Sequence, residues 1–315
     1  FFFKQKTAYE ILTCDWSSDV CSSDLGVAYA TYWLSIPVAG GVIYWLRTRH
    51  GATGLVPFLI SKYGRLAALG FTAAILIRLY NEVWSNTAVV GAYYGKPGDW
   101  TFVAAALLFT AVTLLYSLKG GLRSSIFTDV IQAALFVAVM GVVLFVIVPE
   151  HGASRLLTAG DWRLAAGVDL IFVALLQVLS YPFHDPVLTD RGFITEEKRM
   201  LRAMIVAGAL GFVCIVAFSL VGVHARLEGL SPGGNMPGAV ALTFGVLPYL
   251  LMTVVMVMAA GSTLDSTFSS LAKSVGQEMP LLAGRVPGPR AVTIGMWAML
   301  AIAVFGNLQI GRAHV

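Results

Sequence analysis

The feature that most constrains this chain is the length of its apolar runs. Stretches of around 20 residues pass with almost no charge, and short polar loops separate them. That is the length a helix needs to cross the hydrocarbon core of a bilayer. The pattern predicts an all-α, polytopic membrane protein with about eight spans, at roughly 26–46, 66–94, 101–118, 125–148, 166–184, 201–224, 240–272 and 290–308. Only 12% of residues are charged, about half the share of an ordinary soluble domain. The lipid bilayer is therefore the first partner implied.

Loop charge orients the spans. One alternating set of loops carries Arg47, Arg49, Lys62, Arg65, Lys119, Arg123, Arg191, Lys198, Arg199, Arg202, Lys273, Arg285 and Arg290. The other carries Lys96, Arg155, Arg163 and Arg226. The positive-inside rule puts the first set in the cytoplasm of a multi-pass protein. A net charge of +4 spread over such loops excludes a nucleic-acid face. No Gly-rich phosphate loop, zinc-type Cys/His spacing or G-x-S-x-G elbow is present.

Both ends read unlike the middle. Residues 1–25 are polar and serine-rich, hold Cys14 and Cys21, and lack the apolar core and cleavage site of a signal peptide. Asp19-Val20-Cys21-Ser22-Ser23-Asp24 can be encoded by GAC GTG TGC TCT TCC GAT. The reverse complement of that string translates as Ile310-Gly311-Arg312-Ala313-His314-Val315. The two ends resemble a sequencing adapter read from opposite strands. Residues 1–25 and 309–315 are expected to be non-native, leaving 26–308 as one incomplete transmembrane domain. Cys214, inside an apolar run, then remains as a small hydrophobe.

Polar residues inside spans are costly in lipid and mark candidate sites. The fifth run breaks at Ser180-Tyr181-Pro182-Phe183-His184-Asp185-Pro186. Such a break either lines a solute cavity or simply ends the span at Tyr181. In the seventh run, Ser262, Asp265, Ser266 and Ser269 share a helix face, with Thr263 alongside. Hydroxyls, carbonyls and a carboxylate suit a hard cation such as sodium. Small hydroxyl residues also serve close helix packing. Asp129, at the start of the fourth span, reads as a first-turn acid favoured by the helix dipole, or as a wall of an ion route. Arg78 and Glu82, four apart, can pair on one face, as a solute contact or as a structural bridge.

These residues carry a resemblance. Tyr116-Ser117-Leu118-Lys119-Gly120-Gly121-Leu122-Arg123 followed by Ile126-Phe127-Thr128-Asp129-Val130-Ile131-Gln132 resembles the sodium:solute symporter signature. Asp185-Pro186 with Asp190-Arg191-Gly192-Phe193 is similar to the family's Q-P-x-x-x-Q-R motif, with acids where glutamines are usual. Ser262-Thr263-Leu264-Asp265-Ser266 looks like its S-T-x-x-S segment, and Thr53 to Leu59 with Tyr63-Gly64 fits a family loop. The resemblance spans residues 26–308. It implies a LeuT-like bundle of five plus five inverted-repeat helices, here partial, that carries out sodium-coupled symport by alternating access in the plasma (cell inner) membrane. Na+ would be the coupling ion and a small polar solute the cargo. The resemblance assigns one sodium to the Ala259 carbonyl with the Ser262 and Thr263 hydroxyls. It assigns a second to Thr263, Asp265, Ser266 and Asp129. Arg78, Glu82, Ser180, Tyr181, His184 and Asp185 would line the solute.

The family's first and last core helices would fall outside 26–308, so the chain by itself is expected not to transport. A symporter-like sensor module of a signalling protein is the alternative. An enzyme is not expected: Ser180 with His184 is the sole nucleophile–base candidate, and the flanking prolines favour a cavity wall.

Overall fold

The computed structural model describes residues 23–308 except 161, 165–167 and 231–235. The described chain is α-helical, with no β-strand. In order come α1 (Ser23–Tyr32), α2 (Ser35–His50), α3 (Leu55–Tyr94), α4 (Trp100–His151), α5 (Ala153–Thr158) and α6 (Val168–Ser180). A 3-10 turn (Tyr181–Phe183) leads to α7 (Pro186–Ile194), α8 (Glu197–Leu227), α9 (Met236–Thr243) and α10 (Val246–Lys273). A π-helical turn (Ser274–Glu278), α11 (Met279–Leu282) and α12 (Ala291–Asn307) complete it.

Six helical stretches are long and apolar enough to cross a membrane among the described residues, and seven if α6 and α7 count as one interrupted span. The 17-residue α12 stands at the eighth expected position. Large apolar side chains such as Phe145 (82% exposed) and Trp297 (67% exposed) face outward from these helices, as lipid contact requires. The chain is a multi-pass membrane protein.

The structure adds detail at four boundaries. The loop expected at 119–124 carries helical backbone within α4, which still holds the two expected spans as Trp100–Gly120 and Asp129–His151. Residues 119–124 hold two glycines, which cost a helix only about 1 kcal/mol each, and no proline. Asp129 stands at the head of the second of these spans. α3 is kinked at Gly64, whose φ is +83°, so a short helix from Leu55 precedes the span expected from near 66. The first span is two helices, parted after Tyr32. The seventh run is divided at Gly245, whose φ of +118° is open to glycine and closed to residues with a Cβ.

The helices form two compact units. The first holds the described residues up to Ile36, with Val130–Ser180 and Val206–Ala259. In it α1 packs on α5 and α6, and Asp24 accepts the Trp162 N–H at 3.3 Å. Gly211 lies flush against the Trp33 ring, so small residues set the helix spacing there.

The second unit holds Pro37–Asp129, Tyr181–Ile205 and the described residues from Ala260 onward. Val83, Leu264, Phe268, Met299 and Ala303 form its core. A second cluster joins Ile75, Leu79 and Leu271. These residues come from α3, α10 and α12. A Cβ at Gly295 would lie 2.7 Å from the Ala272 carbonyl oxygen. That close approach of α12 to α10 fixes the face that α10 turns towards the polar residues described next.

Candidate ion and solute site

The site belongs to the second unit, and its frame is the break after Tyr181. Pro182 and Pro186 carry no N–H, so a regular ladder of helix bonds cannot pass through them. The Asp185 carboxylate caps the new helix by accepting the Leu188 N–H at 3.1 Å. That bond takes the donor that a continuous helix would offer to the His184 carbonyl. Arg78 from α3 supplies a substitute: its Nε donates to His184 O at 2.9 Å. The same guanidinium donates through Nη2 to Glu82 Oε1 at 2.7 Å and to Asp185 Oδ2 at 3.3 Å. One cation thus ties the broken backbone, its cap and the acid one turn along α3. Arg78 and Asp185 side chains are only 13% and 9% exposed.

The short helix α7 then extends the network. Asp190 pairs with Lys273 Nζ, and Lys273 also reaches Glu278 Oε1 at 3.0 Å. Arg191 donates to Asp129 Oδ2 at 3.1 Å and to Ser266 Oγ at 2.8 Å. Ser262 Oγ donates to the other oxygen of Asp129. Asp265 is 1% exposed. It accepts from the Tyr116 hydroxyl at 2.9 Å and from Ser266 Oγ at 3.2 Å. Ser269 Oγ, on the same face of α10, is buried with no hydrogen-bond partner among the described residues.

The structure therefore brings Asp129, Ser262, Asp265 and Ser266 into one polar network. Thr263, one residue around the helix, has an exposed side chain. Ala259 lies earlier on α10, in the first unit. Arg78, Glu82, His184 and Asp185 form the second cluster, with the Tyr181 ring edge-on to His184 at 5.2 Å. Ser180 ends α6 in the first unit, where its hydroxyl donates to the Gln177 carbonyl at 3.0 Å. Beside the Asp185 cluster is a cavity of about 10 Å³ lined by Thr72, Thr189 and Glu278 among others, room for about one water molecule.

Sequence reasoning had not assigned site roles to Tyr116, Arg191, Lys273, Asp190 or Glu278. A signal for two of them was present. Positions 185 and 190 carry acids where the resembled motif has glutamines, and each acid has recruited a cation, Arg78 and Lys273 respectively.

No family model matches the chain. The NADH-ubiquinone oxidoreductase chain 6 of Pteropus dasymallus is 37% identical over 75 residues, which is 24% of this chain. The match spans 37% of that protein's length and leaves most of both proteins unaligned. The decisive likeness is structural. A solved Na+-coupled sialic acid symporter, in a substrate-bound outward-open state, superimposes with a TM-score of 0.72 over 97% of this chain and 76% of that one. The fold is of the symporter type. At 17% identity the likeness speaks for architecture, and the side chains of this chain must argue for the rest.

Proposed function

We propose that the chain is the membrane domain of a sodium-coupled symporter that moves a small polar solute across the plasma membrane by alternating access. The observation that carries this reading is the fold likeness over 97% of the chain to a Na+-coupled symporter. The oxygen-rich face of α10 supports it. Ser262, Asp265 and Ser266 offer hydroxyls and a carboxylate, the donor set of a hard cation. The Ala259 carbonyl and the Thr263 hydroxyl, on the same helix, complete the proposed first sodium site.

The sodium gradient drives the cycle, and sodium couples to it by shifting the conformational population through its unequal affinity for the two states. Inward membrane potential adds about 2.3 kcal/mol per charge for each 100 mV. A second sodium on Asp129 and Ser266 would contend with Arg191, because the guanidinium donates to those same two side chains. Release of Arg191 is then a step of loading. The broken helix, with Arg78, Glu82, Tyr181, His184 and Asp185, lines the solute path, and its charges favour a polar or ionic cargo. Solutes of the sialic acid class enter the screen because of the structural neighbour.

Thermal unfolding of the detergent-purified protein in NaCl against equimolar KCl tests the ion site. Sodium should stabilise selectively, and Asp265→Asn should abolish the difference. Equal stability in both salts rejects the site.

A further inference from the structure

The first unit holds a cluster that the proposed symport does not use. α4 and α8 end beside one another, and each carries a histidine in its last turn, His151 and His224. His151 Nε2 and His224 Nδ1 face each other at 2.8 Å. Glu228 Oε1 lies 3.5 Å from His151 Nε2, and Glu150 Oε2 lies 4.0 Å from His224 Nδ1. Ligand atoms of Glu150, His151 and His224 all fall within 4.8 Å of one another. The two imidazoles are buried, at 7% and 3% side-chain exposure. Glu150, Glu228 and His224 border an open cavity of about 630 Å³, with the Phe244 ring tilted against the His224 ring at 5.5 Å.

Three features point to a cation. Two carboxylates converge on the imidazoles, and neither pairs with a lysine or arginine among the described residues. The site lies at the C-terminal ends of two helices, where the unsatisfied carbonyls carry partial negative charge. Imidazole nitrogen with carboxylate oxygen is the donor set of a borderline divalent ion, neither soft enough to demand thiolate nor hard enough to exclude nitrogen. We propose that Glu150, His151 and His224 bind a divalent transition-metal ion of the Zn2+ type, with Glu228 or a water from the cavity as fourth ligand.

The geometry is close to what such an ion needs. Zn–N bonds of ~2.0–2.1 Å in a tetrahedral site hold donor atoms about 3.3 Å apart. The histidine nitrogens open by about half an ångström from their present hydrogen bond. The loops that follow both helices belong to the charge-poor set, which places the site outside the cytoplasm. Metal there fastens the end of α4 to the end of α8 and stabilises the unit by mass action.

The test uses the chain in detergent, tag removed and stripped with a chelator, then titrated with Co2+ and with Zn2+. One equivalent of Co2+ should develop visible d–d bands that Zn2+ erases. Zn2+ should raise the melting temperature where equimolar Mg2+ does not. Glu150→Gln and His151→Gln should each weaken Zn2+ at least tenfold. His224 is so buried that its replacement endangers folding, so the unmutated chain's Co2+ spectrum carries the case without it. Absence of those bands, or Zn2+ affinity unchanged in both variants, overturns the proposal.

Discussion

Replacing Arg78 by glutamine removes a cation that holds the broken span's carbonyl, cap and acid together. The substitution keeps a polar side chain of similar reach, yet it leaves the Asp185 carboxylate, 9% exposed, without Arg78's charge. Removing one partner of a buried pair costs about 3–5 kcal/mol, because the survivor stays desolvated. Glu82 is 27% exposed and adds little, since water can reach it. The Asp185 side chain has a second role as helix cap, worth about 1 kcal/mol, in which asparagine serves equally. The ordering that follows is specific. Arg78→Gln should be the most damaging single change, with a fall in melting temperature of order 10 °C. Asp185→Ala should be worse than Asp185→Asn by about 1 kcal/mol. The double variant Arg78→Gln/Asp185→Asn should recover at least half of the Arg78→Gln loss, because the carboxylate charge is removed with its cation. Thermal unfolding of detergent-solubilised variants, followed by tryptophan fluorescence at a fixed scan rate, ranks them. The reasoning fails if Arg78→Gln melts with the parent chain, or if the double variant is simply additive.

Other changes probe other joints. Lys273→Met strands Asp190 and Glu278; with Lys273 one-third exposed, the loss should be about 2 kcal/mol, and Lys273→Met/Asp190→Asn should regain part of it in the same melt. Tyr116→Phe deletes the 2.9 Å bond to buried Asp265 and should cost about 1–3 kcal/mol while altering sodium-dependent stabilisation, read from melts in NaCl and KCl. Gly276→Ala drives a Cβ into the Ala291 carbonyl; overpacking of about 1–3 kcal/mol should appear as lower yield of monodisperse protein on size-exclusion chromatography. Arg191→Gln takes away the guanidinium on Asp129 and Ser266, and should tighten apparent sodium affinity at least threefold in a ²²Na+ binding assay.

The membrane class was legible because apolar run length is a direct statement about solvent. The break at Ser180–Pro186 was legible because proline forbids the helix locally. The helical backbone at Lys119-Gly120-Gly121 was not, since two adjacent glycines read as a loop between spans. The face of α10 could be read from three- and four-residue spacing. What that face meets could not. Arg191 and Asp129 are 62 positions apart, and Tyr116 and Asp265 are 149 apart. Spacing rules reach only neighbours within a helix, so contacts made by tertiary packing leave no local trace. The histidine cluster shows the same limit: 73 residues separate His151 from His224, and no ligand-spacing motif spans that distance.

Sodium coupling is the central claim, and flux tests it most directly. The full-length gene product, reconstituted in proteoliposomes, is given an inward Na+ gradient or an equal K+ gradient and a panel of radiolabelled amino acids, sugars, carboxylates and sialic acids. The account predicts that at least one solute accumulates with Na+ alone, and that Ser262→Ala or Asp265→Asn abolishes that accumulation. Uptake equal under both gradients, or sodium-driven uptake untouched by both substitutions, contradicts it.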